Sequence, residues 1–365
     1  MSPFRILALA LPAAAIAAIA APVAVASAAP AAGQVRAPRA GGLTWHSLKL
    51  LNGWQIDSAM GSRSPSWAIS GGIVYLGGVI MQSTPGGTTF AQLPVGARPT
   101  MTQDAEVPAG GTSLNGYVIV SPTGALSVGP QEYAAERQAV SLAGVSFPVA
   151  ATIRHKLVLA SGWQTVAGGG APAYTVVGGL VHLSGDFRHS GTGTSTVFAT
   201  LPHAEAPAHN QYAEVYTQGG ITGELVVGSN GNLSVQWGKS LVRTSLASAT
   251  FPLAGTRLTK LTLSNNWKPA AAALGTGIPS YALSGGIVCL SGAITNSKTT
   301  APMAFATLPP AIRPLHTVFT IADIKNGSGA LIGVSLAGQT LIDSSSPTFA
   351  RLMTSLASVC YPVSA

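Results

Sequence analysis

The chain has 365 residues, of which 8% are charged, with a formal net charge of +8. An ordinary globular domain carries about 25% charged residues; here Gly, Ser, Thr, Ala and Val replace Lys and Glu, which disfavours surface helices and favours strands joined by tight turns. The basic residues stand singly rather than in a stripe interleaved with aromatics, which argues against a nucleic-acid partner.

Residues 1–28 read as a signal peptide. Arg5 precedes an uncharged apolar run from Ile6 to Ala26, which closes on the small-x-small pattern Ala26-Ser27-Ala28. About twenty apolar residues are also enough for a retained anchor. Pro12 and Pro22 interrupt the run, however, and no basic stop-transfer cluster follows, so no stable membrane insertion is expected. Residues 29–46 hold Ala, Pro and Gly with Arg36 and Arg39 and read as a disordered leader. The expected localisation is extracellular.

The remainder repeats itself three times, over residues 47–150, 151–255 and 256–365. The clearest block runs Pro65-Ser66-Trp67-Ala68-Ile69-Ser70-Gly71-Gly72-Ile73-Val74-Tyr75-Leu76, and it returns from Pro172 to Leu183 and from Pro279 to Leu290. Each reads as a hairpin whose Gly-Gly turn takes up positive φ. One tryptophan precedes each block: Trp54, Trp163 and Trp267. A Phe-Ala-x-Leu-Pro strand end follows at 90–94, 198–202 and 305–309. Two further strands flank Gly124, Gly231 and Gly338. Each repeat then ends on a strand, Ser141 to Pro148, Ser245 to Pro252 and Ser355 to Pro362. Short strands at this spacing predict an all-β fold of three tandem β-sandwich or jelly-roll-like domains. The connections near 150–155 and 254–260 are short, so neighbouring repeats should touch.

Both cysteines lie in the third repeat. Cys289 stands where the others have Tyr75 and His182, and Cys360 where they have Ser146 and Thr250. Their joint appearance predicts a Cys289–Cys360 disulfide in an oxidising compartment.

No catalytic residues are assigned. None of the eleven acidic residues holds an equivalent place in all three repeats, as a shared glycosidase pair would. His182, His189, His203 and His209 crowd the second repeat at spacings that fit no zinc pattern, so neither a metal nor another cofactor is assigned. The Gly-Gly turns lack the context of a phosphate loop. Trp54, Trp163 and Trp267, with Trp67 and Trp237, are the candidate sugar-stacking residues, the alternative for the first three being core positions.

The order Trp, Gly-Gly-Ile-Val-x-Leu-x-Gly, Leu-Pro-x-x-x-Arg-Pro and Ser-Leu-x-Gly-Val-x-Phe resembles the head domains of phage tail-fibre and baseplate receptor-binding proteins. Repeat 1 carries it best, through Leu93-Pro94, Arg98-Pro99 and Ser141 to Phe147. Repeat 3 keeps Arg313-Pro314, and repeat 2 has Ala206-Pro207 instead. The resemblance implies a β-sandwich that trimerises and recognises surface saccharide, so three copies in one chain are expected to form a pseudo-threefold cluster; a homo-oligomer is the other expectation. These readings lead to a secreted, non-enzymatic protein that binds a cell-surface or extracellular polysaccharide. A self-associating envelope or matrix protein is the alternative, and an atypical carbohydrate-active hydrolase the third.

Overall fold

The structure, a computed structural model, describes residues 43–110, 114–130, 133–191, 195–238, 240–300, 302–325 and 327–363. The signal-peptide expectation and most of the leader lie outside these residues. The leader's last four residues do not behave as expected: Leu43 is buried, Trp45 is half-buried against the same cluster, and His46 begins the first strand.

Repeat 1 sets the plan. Its strands are β1 (His46–Ser47), β2 (Trp54–Ile56), β3 (Ser66–Ser70), β4 (Ile73–Gly77), β5 (Val79–Gln82), β6 (Thr89–Gln92), β7 (Gln103–Ala109), β8 (Leu114–Val120), β9 (Ala125–Val128), β10 (Val140–Ser141) and β11 (Ser146–Pro148). They form a four-stranded sheet, β1-β3-β4-β11, and a seven-stranded sheet, β2-β5-β10-β7-β8-β9-β6. Repeats 2 and 3 copy both sheets strand for strand. A bond from the Leu51 N–H to the Phe90 carbonyl, 2.9 Å, carries the large sheet round towards closure. Ala160 to Phe198 and Ser264 to Phe305 repeat it at 2.7 and 2.8 Å.

The core of each domain lies between its two sheets and is built from alternate strand residues. Val74, Leu76, Ile80, Phe90, Ala105, Val107, Val118 and Phe147 are all at or near zero exposure in repeat 1. The motif arginines have a structural duty. Arg98 Nε donates to the Leu93 carbonyl at 3.1 Å, and Arg313 Nε to Leu308 at 2.9 Å, closing the loop after the Leu-Pro strand end.

One strand differs from expectation. Residues 141–148 are two short strands in different sheets, β10 in the large one and β11 in the small one. The chain changes sheet through a residue at positive φ: Gly144 (91°), Ser248 (68°) and Ser358 (61°). Glycine takes that conformation freely; the two serines hold it while bonding the preceding repeat. Ser248 Oγ accepts from the Ser146 N–H at 3.1 Å, and Ser358 Oγ from the Thr250 N–H at 3.2 Å.

The three domains close into a pseudo-threefold ring, 1 to 2 to 3 and back to 1. β7 and its counterparts Gln211–Thr217 and Val318–Ile324 touch one another about the axis. Each seam carries an equivalent backbone bond: Thr102 N–H to the Gly168 carbonyl (3.2 Å), Asn210 to Gly275 (2.9 Å) and Thr317 to Gly61 (3.2 Å). The Gly-Gly turns meet head to tail. A Cβ added at Gly71 would lie 2.1 Å from Val177 Cγ1, at Gly178 2.0 Å from Ser284 Oγ, and at Gly285 3.0 Å from Ser70 Oγ. The first glycine of each pair is therefore needed twice, for positive φ and for close approach between repeats.

Candidate functional site

The axis is a sequence of buried layers in which the three repeats supply different residues at one position. In one layer stand Tyr75, His182 and Cys289. The Cys289–Cys360 disulfide is formed, between residues facing each other across antiparallel strands with Cα atoms 4.1 Å apart. The matching pair in repeat 2 is His182 and Thr250, joined from Nδ1 to Oγ1 at 3.0 Å. His182 is 3% exposed, its Nε2 has no partner, and burial pulls its pKa down to about 4. It is therefore neutral at pH 7.

The next layers gather acids. Glu106 and Glu214 occupy one position, with Ile321 third; Glu224 lies opposite Glu214 on the neighbouring strand, and Asp323 comes from repeat 3. All four carboxyls are buried. Asn115 of repeat 1 donates to Glu214 Oε1 at 2.8 Å, crossing a seam. Burial, then the neighbouring carboxylates, raises Glu214 and Asp323 well above the usual range. Asp323 faces Glu224 and Glu214, and a side-chain hydrogen bond with Glu224 adds to its rise.

At seam 1–2 the acids are paired. Arg243 bridges Asp104 of repeat 1 and Asp186 of its own repeat, with Nε 2.9 Å from Asp186 Oδ2. Burial pushes Asp104 up to about 6, against the opposing pull of Arg243. The same positions hold Tyr212, Ala293 and Met353 at seam 2–3, and Phe319, Val79 and Ala139 at seam 3–1. Among the described residues seven acids are buried: Asp104, Glu106, Glu136, Asp186, Glu214, Glu224 and Asp323.

The candidate sugar-stacking residues separate sharply. Trp54, Trp163 and Trp267 are 4%, 6% and 3% exposed, each packed edge-on to the Phe of its own repeat (Phe90, Phe198, Phe305). Trp54 Nε1 donates to the Gly87 carbonyl at 2.9 Å and Trp267 Nε1 to Pro302 at 3.1 Å. A ring enclosed in this way has no face for a sugar, so these three belong to the core. Trp237 is 49% exposed and lies over Gly327 at seam 2–3, away from the others. The four repeat-2 histidines are not brought together: His182 is axial, His189 packs on Trp163, His203 starts a short 3₁₀ turn, and His209 covers Gly277. Among the described residues no group of His, Cys, Asp and Glu is placed to hold a metal.

Trp67 is the survivor. It lies half-buried on the core, and the exposed His46 ring stacks on it at 4.4 Å between centroids and 24° between planes. The pair lines an open groove of about 500 Å³ with Thr44, Ile69, Ser70 and Gly71, completed across seam 3–1 by Gly285. A second shallow depression, of about 610 Å³, begins at Ser47 and runs to Gln55 and Ile56. The pairing of β1 with β3, His46 opposite Trp67, is what brings the two rings together. Repeat 2 has the equivalent stack, His155 on Tyr174 at 5.1 Å. The sequence gives no sign of His46, because its partner lies 21 residues on and only the pairing of a two-residue strand brings them together.

No described helix is long and apolar enough to cross a membrane. No family model, curated protein or solved structure matches the chain.

Proposed function

We propose that the protein is a secreted, non-enzymatic binding protein that recognises an extracellular or cell-surface polysaccharide through the groove of repeat 1. The observation that carries this reading is the groove itself. It is open and shallow, it has a stacked aromatic pair in its wall, and the hydroxyls of Thr44 and Ser70 and the glycine backbone line it beside Leu43 and Ile69. A sugar offers the matching chemistry: an apolar ring face bordered by hydroxyls, which binds in open grooves with a few fixed polar partners. The resemblance to phage receptor-binding heads points to the same ligand class.

The burial of the acids supports a role without catalysis. A glycosidase needs two carboxyls facing a sugar across solvent-accessible space. Here the acids that do gather, Glu106, Glu214, Glu224 and Asp323, are sealed between repeats. Their work is at the seams.

The test is a glycan array and envelope-pull-down with the full chain, against a His46→Ala/Trp67→Ala variant. Losing a base–aromatic style stack typically costs about 1–3 kcal/mol, so binding should weaken on the order of tenfold or more. Glycan binding unchanged in the variant overturns the groove as the site. Assembly of the wild type without ligand, with no glycan bound, supports the envelope or matrix role in its place.

A further inference from the structure

We propose that seam 3–1 contains a carboxylate-binding site, built on Arg63, Trp45 and His316, that takes the carboxyl group of a uronic acid residue in a polysaccharide. This deepens the glycan reading and rests on it only for the source of the carboxylate.

The argument starts from what the other two seams do at this place. Counting from the shared Pro65, Pro172 and Pro279, Arg63 stands where repeats 2 and 3 have Gly170 and Gly277. Gly170 is closed over by Met101 and Gly277 by His209, each within 2.4 Å of an added Cβ. Behind them, Ser291 donates to Gln211 Oε1 at 3.2 Å, and Ser184 and Gln103 are the matching residues at seam 1–2. Seam 3–1 replaces each component. Arg63 replaces the glycine, Gly77 the serine, Val318 the glutamine, and His316 stands at the Met101 and His209 position. The outcome is a cavity of about 30 Å³, lined by Trp45, Arg63, Gly77, His316, Thr317 and Val318 among others. That is room for one or two water-sized groups.

The cation in this cavity is set and unpaired. Its guanidinium carbon lies 3.6 Å over the Trp45 ring, and Nε donates to Ser66 Oγ at 2.8 Å. These contacts fix the plane of the fork. Among the described residues no carboxylate pairs with Arg63, its terminal nitrogens make no hydrogen bond, and no Asp or Glu lines the cavity. Gly77 makes the arrangement possible, because a Cβ there would lie 2.7 Å from Arg63 Cδ and 3.3 Å from the Trp45 ring.

A half-buried cation without a counter-ion is costly, and here burial lowers Arg63 to about 10 and also lowers His316, which feels the Arg63 charge. An incoming anion removes that cost. The planar fork matches a carboxylate bidentately, and the cavity admits its two oxygens while leaving a sugar ring outside.

The experiment titrates the full chain with sodium acetate, sodium glucuronate, glucose and oligogalacturonate by calorimetry, and follows the His316 imidazole by NMR. The free carboxylates are expected to bind with Kd on the order of 1 mM. They should also raise the His316 pKa, since an anion beside it favours the imidazolium. Oligogalacturonate should bind more tightly than free glucuronate, and glucose should not bind here. Two variants test the site from opposite sides. R63G takes the residue found in both other repeats and removes the cation. G77S/V318Q keeps Arg63 and fills the cavity with the Ser–Gln pair of the other seams. Each should weaken carboxylate binding at least tenfold while leaving the groove's neutral-glycan binding intact. No binding of acetate or glucuronate by the wild type at about ten times that concentration overturns the site. So does binding that survives both variants. Free glucuronate that binds while oligogalacturonate does not overturns the polysaccharide as the source. Loss of groove binding in H46A/W67A with carboxylate binding retained separates the two sites.

Discussion

Replacing Arg243 with methionine should destabilise the protein far more than its partial exposure implies. Its two partners, Asp104 and Asp186, have side chains 4% and 0% exposed, while Arg243 itself is 23% exposed. The variant leaves both carboxyls buried without a counter-ion, which typically costs about 3–5 kcal/mol. Part of that cost is avoided at low pH, where Asp104, already raised to about 6 with its partner present, takes a proton instead. The loss should therefore be larger at pH 8 than at pH 5. The molecule supplies its own control. D104Y/D186A/R243M installs what seam 2–3 has at these positions, namely Tyr212, Ala293 and Met353. Replacing a buried ionic triad with packed apolar residues is often neutral or stabilising, so the triple variant should recover most of the loss. Urea unfolding followed by tryptophan fluorescence reads both effects as shifts of the midpoint. A single-variant loss below about 1 kcal/mol at pH 8, the range of an exposed pair, refutes the reasoning. A triple variant no better than the single one refutes it equally.

Two other outcomes follow from the axis. Reducing Cys289–Cys360, which spans 71 residues, should lower the urea midpoint by an amount corresponding to about 4 kcal/mol in the chain-entropy account; repeats 1 and 2 hold the same strands together without a disulfide, so the reduced protein should remain folded. Stability should also depend on pH from both sides, measured as urea midpoints from pH 4 to 9. Glu214 and Asp323 are raised in the folded state, which retains protons the unfolded chain has released above the ordinary values of 4.5 and 3.8, so their contribution to stability falls as pH rises from that range towards the alkaline side, and D323N should flatten that limb. His182, at about 4 when folded against an ordinary 6.5, acts oppositely: the unfolded chain binds the proton first, stability falls between pH 6.5 and 4, and H182Q should remove that contribution. An alkaline limb unchanged in D323N would show that Asp323 is not protonated in the fold.

Much of the domain plan is legible in the residues, because strands and turns are local events. The Gly-Gly hairpins, the Phe-Ala-x-Leu-Pro strand ends and the cysteine pair each announce themselves through turn chemistry or joint substitution. The break at Gly144, Ser248 and Ser358 does not, since alternation marks a strand without saying which sheet receives it, and serine gives no warning of positive φ. The axial acids stand in the sequence, but a comparison of equivalent positions does not reveal them. Equivalence between copies is the signature of a shared catalytic pair, whereas these residues meet because different copies converge. The usable signal is Asp104-Ala105-Glu106-Val107, a strand whose polar face has no solvent to point at. Trp54, Trp163 and Trp267 teach the complementary lesson: a position aromatic in every copy is one that every core needs. The Arg63 cavity is illegible without the ring, because it arises from four substitutions scattered over residues 63–318.

Placing three copies on one chain does more than fix the stoichiometry of the ring. In a homotrimer every seam is identical, so each residue meets the same partners three times. Asp104 shows why repeat 1 is unsuited to that arrangement. In a ring made only of repeat 1 it would face Val79 and Ala139, the residues at the Asp186 and Arg243 positions, and would lie buried with no cation. Only repeat 2 supplies Arg243, and so the charge on repeat 1 selects its neighbour. The same freedom permits a seam that is not closed. Glu106 and Glu214 share a position with Ile321, so that position does not carry an acid from every repeat, and seam 3–1 exchanges its Ser–Gln pair for an unpaired arginine without creating three such holes. Two seams can then be built for stability and the third for a ligand.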